Sequence, residues 1–192
     1  RVLDLGIITA GAGTSAILAD AGAEVLKIES ARYPDPFRAW SPGSRNANQE
    51  TSPVFEFTNR NKQGLGLDLK TEAGRNLLLD LAEQADVLVE NFRRGVLDEL
   101  GIGRERLQER NPRLVLASIS SQGETGPDRG YTSYGSTLEA TGGLAAITGY
   151  PDGPPVITGQ NVNYPDQIVS ICAMGLIVAA VIQARQDGVG VH

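Results

Sequence analysis

The sequence predicts an α/β domain, a mainly parallel sheet flanked by helices, with one long apolar helix near its C-terminus. Three observations carry this. Short apolar, β-branched runs recur along the chain, segments with helical spacing separate them, and small-residue or Gly/Pro turns sit at the junctions.

Residues 2–8 open as a strand, and Thr9-Ala-Gly-Ala-Gly-Thr-Ser15 follows as a small-residue turn. Residues 16–21 read as helix and 24–29 as the next strand, which makes a βαβ unit. Residues 30–56 hold Pro34, Pro36, Pro42 and Pro53 among many polar residues and read as a long surface excursion, a feature that is often functional. Residues 64–69 alternate as a short strand. Thr71 opens a helix through Gln84 with Leu77, Leu78 and Leu81 on one face, and residues 86–90 form the next buried strand. Residues 95–100 and 104–110 form a helix pair that stops at Asn111-Pro112, because the residue before a proline avoids the helical region. Residues 113–119 are strand again, 120–130 a Gly/Ser/Pro loop, 136–143 helix and 149–155 turn. The apolar helix runs over residues 166–186, entered through Tyr164-Pro165 and ended by Asp187-Gly188. Gly188-Val-Gly-Val-His192 reads as the start of another strand, so residues 1–192 are expected to be the N-terminal part of a longer protein.

Composition narrows the chemistry. The chain has 192 residues, 41% hydrophobic and 21% charged, enough for a core without disulfides or metal staples. Cys172 is the single cysteine, which excludes a disulfide framework and a thiolate zinc site. His192 is the single histidine, which excludes a Ser-His-Asp or Cys-His triad and a histidine metal site within the chain. The net charge of −6 argues against nucleic acid or anionic membranes as partners, yet it leaves room for a local basic pocket. No basic-then-apolar leader opens the sequence, so a cytoplasmic location is expected. The apolar stretch 168–182 falls short of the ~20 residues of a membrane helix and is expected to be a buried one.

Four groups of residues invite chemistry. Gly11-x-Gly13-x-x-Ala16, followed by Glu29 at the end of the next strand, approaches a dinucleotide-binding fingerprint; equally, small residues there allow close packing of helix on strand. Asn59-Arg-Asn-Lys62 and Asn91-Phe-Arg-Arg94 flank strands with amides, cations and an aromatic ring, which suit an adenine and phosphates or serve simply as solvated turns. Asp166 is the one carboxylate between Asp152 and Asp187, at the mouth of the apolar helix. It fits a helix N-cap and, desolvated by the helix behind it, a nucleophile.

Together these blocks resemble the class III CoA-transferase family, which includes formyl-CoA and carnitine CoA-transferases and acyl-CoA racemases. The resemblance spans essentially the whole chain. It rests on Val2-Leu-Asp-Leu5, Leu18-Ala-Asp-Ala-Gly-Ala-Glu-Val-Leu-Lys-Ile-Glu29, Asp35-Pro-Phe-Arg38, Asn59-Arg-Asn-Lys62, Ala85-Asp-Val-Leu-Val-Glu-Asn-Phe-Arg93, Asn111-Pro-Arg-Leu114 and Gly126-Pro127. It implies a Rossmann-like CoA-binding domain within an interlocked homodimer. It also implies acyl-CoA and a small carboxylic acid as substrates, no permanently bound cofactor and no metal. By this resemblance CoA is held by Ile8 and Thr9, by Thr58, Asn59, Arg60 and Asn61, by Asn91, Phe92 and Arg93, and around Ser133 and Tyr134, with Asp166 as the nucleophile. The resemblance also admits an acyl-CoA racemase or isomerase. Racemases of the family carry a histidine where this chain has Tyr134, which weighs against that branch. An NAD(P)-dependent oxidoreductase built on the Gly11 motif is the remaining alternative.

Overall fold

The computed structural model describes residues 1–39, 52–158 and 163–192. Five strands, β1 (Val2–Asp4), β2 (Val25–Glu29), β3 (Gln63–Gly66), β4 (Val87–Glu90) and β5 (Val115–Ser118), form one sheet in the order β3-β2-β1-β4-β5. Every pairing is parallel, with Val2 opposite both Val25 and Val87, and Leu88 opposite Leu116. The helices are α1 (Ala10–Asp20), α2 (Pro53–Asn59), α3 (Glu72–Ala82), α4 (Val96–Glu99), α5 (Arg104–Arg110), α6 (Gly135–Thr141), α7 (Leu144–Ile147) and α8 (Tyr164–Asp187).

The period of two along a strand divides the core. Val2, Val25, Val87, Val89 and Val115 point to one face, against Leu18 and Ala19 of α1 and Ile177 and Ala184 of α8. Leu3, Leu88 and Leu116 point to the other, against Leu78 and Leu79 of α3 and Leu107 of α5. Both faces are covered, which is why the strands read as unbroken apolar runs. The predicted cap is present: the Thr71 hydroxyl accepts from Gly74 N–H and starts α3.

Several predicted boundaries move, each for a physical reason. The run 9–15 is not a turn: α1 already begins at Ala10, because Gly11 and Gly13 are packing residues. A Cβ on Gly11 would lie 2.5 Å from Asn91 Oδ1 and 2.7 Å from Gly6 Cα, and one on Gly13 would lie 2.9 Å from Ser170 Oγ. Within the excursion 30–56, a 3₁₀ turn at Pro36–Arg38 and the helix α2 are present; residues 40–51 lie outside the described residues. The apolar helix is longer and less covered than predicted. α8 spans 24 residues, enough by length and composition to cross a membrane. Within this chain only Ser170, Ile177 and Ala184, spaced seven apart, are buried against the domain, while Ile171, Ile182 and Leu176 (73% exposed) face outward.

Candidate active site

In an open parallel sheet, ligands bind outside the carboxyl ends of the strands where successive connections diverge, here between β1 and β4. A cleft of about 970 Å³ opens there, at the upper end of the range for small-molecule sites. Its floor is the chain leaving β1 (Leu5, Ile7, Ile8) and β4 (Asn91–Arg94). Its walls come from the ends of β2 and β3, from the loop through Tyr131–Tyr134, and from Pro165, Asp166 and Val169 of α8.

Asn91 closes the floor. Its amide accepts from Ile7 N–H at 2.8 Å and donates to Ile7 C=O at 3.0 Å, stapling the β1 and β4 loops together. The next residue, Ile8, has φ 61°, a left-handed conformation that costs a β-branched side chain about 1–3 kcal/mol. Asp35 holds it there by accepting Ile8 N–H, and Lys27, buried beneath, pairs with Asp35 at 3.3 Å and donates to Gly6 C=O. These backbone donors are therefore occupied by a carboxylate and an amide of the protein itself. With Gly11 and Gly13 inside a helix, the geometry of a dinucleotide fingerprint is absent, and the close-packing alternative is the one realised.

Asp166 stands on the wall contributed by α8. α8 reaches this position because it crosses α1 closely: Ser170 Oγ donates to Ala10 C=O at 3.2 Å, over the bare Cα of Gly13. Asp166 is not the N-cap. Asn163 occupies that position, and Asp166 lies in the first turn, where the helix dipole favours an anion. Among the described residues its carboxylate accepts one side-chain hydrogen bond, from Asn163 Nδ2 to Oδ2 at 2.9 Å. Burial pushes the Asp166 carboxyl up to about 6, against the opposing pull of the Asn163 amide.

The sign of the cleft differs from that of the chain. Arg32, Lys70, Arg93, Arg94 and Arg129 line it, against Glu29, Asp35, Asp68 and Asp166. Three of those acids are already engaged: Glu29 by Arg38, Asp35 by Lys27 and Asp68 by Arg32. Arg93 and Arg94 pair outward with Glu99 and Glu124, whereas Lys70 and Arg129 make no ion pair among the described residues.

Of the residues predicted to hold a ligand, Ile8, Asn91, Phe92, Arg93, Ser133 and Tyr134 line this cleft together with Asp166. Tyr134 is 71% exposed, and Phe92 is half-buried against the core. Thr9, Thr58, Asn59, Arg60 and Asn61 do not line it. Thr9 is the buried N-cap of α1. Thr58 donates back into α2, Arg60 and Asn61 both hold Asp20 at the end of α1, and Asn59 accepts from Lys62. No local sequence signal marks Lys27 or the role of Asp35, and Asn163 is marked only by lying three residues ahead of an isolated Asp.

CoA-transferase family III matches the chain over residues 1–192. The chain is 39% identical over 190 residues to the succinyl-CoA–D-citramalate CoA-transferase of Chloroflexus aurantiacus, covering 99% of this chain and 46% of that protein. It is 38% identical over 195 residues to an acyl-CoA transferase of Fusarium pseudograminearum, covering 99% and 42%. The crystal structure of a CAIB/BAIF family protein from Brucella suis superimposes with a TM-score of 0.91 at 34% identity, covering 100% of this chain and 50% of that one. The chain thus spans about half the length of the proteins it matches. A parallel sheet with its cleft at the β1/β4 divergence, a basic rim and a family match from end to end have one common explanation: this chain belongs to CoA-transferase family III.

Proposed function

We propose that the protein transfers coenzyme A from an acyl-CoA to a carboxylic acid, with Asp166 as the nucleophile. The observation that carries this is a half-buried carboxylate, bound by one amide among the described residues, in the same cleft as a set of cations in a chain that is acidic overall. Cations suit the phosphates of CoA, and a desolvated carboxylate suits attack on a thioester. The relatives named for succinyl-CoA, acetyl-CoA and formyl-CoA support the same substrate class.

The reaction balances with no cofactor. An Asp166 oxygen attacks the thioester carbonyl; the C–S bond breaks, leaving an aspartyl–acyl anhydride and CoA thiolate. The thiolate attacks the Asp166 carbonyl of the anhydride, releasing the donor carboxylate and leaving an aspartyl-CoA thioester. The acceptor carboxylate attacks that thioester and expels CoA thiolate, and the thiolate attacks the acceptor's carbonyl in the new anhydride. Acceptor acyl-CoA leaves and the Asp166 carboxylate is restored. No net proton is taken up or released, so the thioester energy passes from one acid to the other.

In this proposal Ile8, Asn91, Phe92, Arg93, Ser133 and Tyr134 hold CoA directly, while Thr9 and residues 58–61 brace α1 and α2 behind it. The outward face of α8, with Ile171, Leu176 and Ile182, is covered by a second copy in an interlocked homodimer. The test is CoA exchange from succinyl-CoA to a panel of short dicarboxylic, hydroxy and carnitine-like acids, with NAD binding measured alongside. Exchange to at least one acid with no NAD binding is expected; NAD binding with no exchange would overturn the proposal. Because the nucleophile must be ionised, kcat/KM is expected to fall as the pH drops through about 6.

A further inference from the structure

Asn163 spends its side chain in an unusual way. Asn is among the residues favoured at helix N-caps because its side-chain oxygen accepts a backbone N–H of the first turn. Here it makes no such bond. Its amide instead donates to Asp166 Oδ2 at 2.9 Å, three residues along, and among the described residues Oδ1 has no side-chain partner. Facing both residues is Gly135, the first residue of α6. A Cβ at Gly135 would lie 2.9 Å from Asn163 Oδ1 and 3.1 Å from Asp166 Oδ1, tighter than ordinary van der Waals contact. Its φ is not positive, so nothing in the backbone demands glycine. Alanine would favour the helix, and the space is what glycine provides.

We propose that Asn163 and Gly135 are positioning residues for Asp166: the amide fixes Oδ2, and the bare Cα keeps Oδ1 clear to meet the substrate carbonyl. This rests on the assignment of Asp166 as nucleophile. An attacking atom displaced by about 1 Å costs on the order of 100-fold in rate, so a contact of this tightness is large enough to matter. The amide also favours the ionised carboxylate, and its loss raises the Asp166 pKa further above about 6. Few charged groups compete for that effect. On α1 the titratable side chain is Asp20, held by Arg60; on α6 it is Glu139, which accepts from both the N–H and the hydroxyl of Thr158; Tyr134 precedes α6. The cleft also holds Arg93, Arg129 and Tyr131. Among the described residues none of these contributes to the shift at Asp166, which comes from burial and Asn163.

The experiment compares Asn163→Ala, Asn163→Ser and Gly135→Ala with the wild type in the full-length enzyme, recording kcat, KM and the pH profile of kcat/KM with succinyl-CoA. Thermal unfolding is measured in parallel. Serine keeps the capping oxygen but loses the reach of the amide. Both Asn163 variants are expected to lose about 10- to 100-fold in kcat, with the acid limb of the profile displaced upward. Gly135→Ala is expected to lower kcat about 10-fold at unchanged KM, while unfolding at or above the wild-type temperature. A wild-type profile and kcat in Asn163→Ser, or a wild-type kcat in Gly135→Ala, would overturn the inference. If Gly135→Ala does not fold, Asn163→Ser decides alone. Asp166→Ala separates the two levels: retained exchange there removes the nucleophile assignment itself. An inactive Asp166→Ala beside undisturbed Asn163 and Gly135 variants removes the positioning role only.

Discussion

Asp166→Ala is expected to lower CoA exchange by at least about 10⁴-fold while leaving the affinity for CoA within a few-fold of wild type. The two effects separate because the groups that suit phosphate and the group that suits attack come from different parts of the cleft. Arg93, Arg94 and Arg129 stand on the loops after β4 and β5, and Asp166 on α8. Among the described residues the other acids of the cleft, Glu29, Asp35 and Asp68, are each tied to a cation and do not substitute. Steady-state exchange kinetics and calorimetric titration with CoA check both halves. The variant is not expected to unfold. Burial raises the folded carboxyl to about 6, above its ordinary 3.8, so the folded chain holds that proton more tightly than the unfolded chain does. The stability this gives is complete below about 3.8 and is lost as the pH rises through about 6. A neutral residue at position 166 therefore gains over wild type at pH 7–8 and gains little at pH 4, which thermal unfolding at the two pH values reads directly.

Lys62→Met is expected to be the most damaging single change to stability, at about 3–5 kcal/mol, because it leaves a buried carboxylate without its cation. Lys62 and Asp4 meet at 2.8 Å with side chains 1% and 0% exposed, and the same ammonium donates to Ala12 C=O and Asn59 Oδ1. One lysine thus ties β1, α1 and the end of α2 together. Burial outweighs Asp4 and pulls the lysine from 10.5 down to about 8, so the ammonium's cost to the folded state builds up as the pH falls from about 10.5 and is complete below about 8. What the substitution loses is the partner of Asp4, whose other bond is to Gly6 N–H. Asp4→Asn combined with Lys62→Met keeps an acceptor for Gly6 and removes the stranded charge. The pair is expected to recover more than half of the loss in denaturant unfolding at constant m-value.

These two expectations mark where the sequence is informative. The alternation of apolar runs with helical spacing is enough to predict the sheet, because both of its faces are buried and the strands need no polar side. Thr71 announces its helix through a local cap. Non-local contacts override local signals elsewhere. Gly11 and Gly13 look like a turn because glycine is a poor helix former, but they sit in α1 so that Gly6, Asn91 and Ser170 can come close. Arg60, Asn61 and Lys62 look like ligand-binding residues because their partners, Asp20 and Asp4, lie more than forty residues away in all but one pair of contacts. Asp166 stands out for its isolation among apolar residues, while its place in the first turn depends on where the helix starts. Its relation to Gly135 arises only when α6 packs against α8.

In the proposed reaction the protein's own carboxylate becomes covalently acylated. The most direct measurement is to incubate the enzyme with succinyl-CoA, quench with hydroxylamine and map the modified peptide by mass spectrometry. Attack of hydroxylamine on an anhydride or thioester at the aspartyl carbonyl leaves a hydroxamate on the protein. The predicted result is a hydroxamate on Asp166, dependent on succinyl-CoA and absent from Asp166→Ala. Rapid CoA exchange with no hydroxamate, or with the hydroxamate on another residue, would contradict the account.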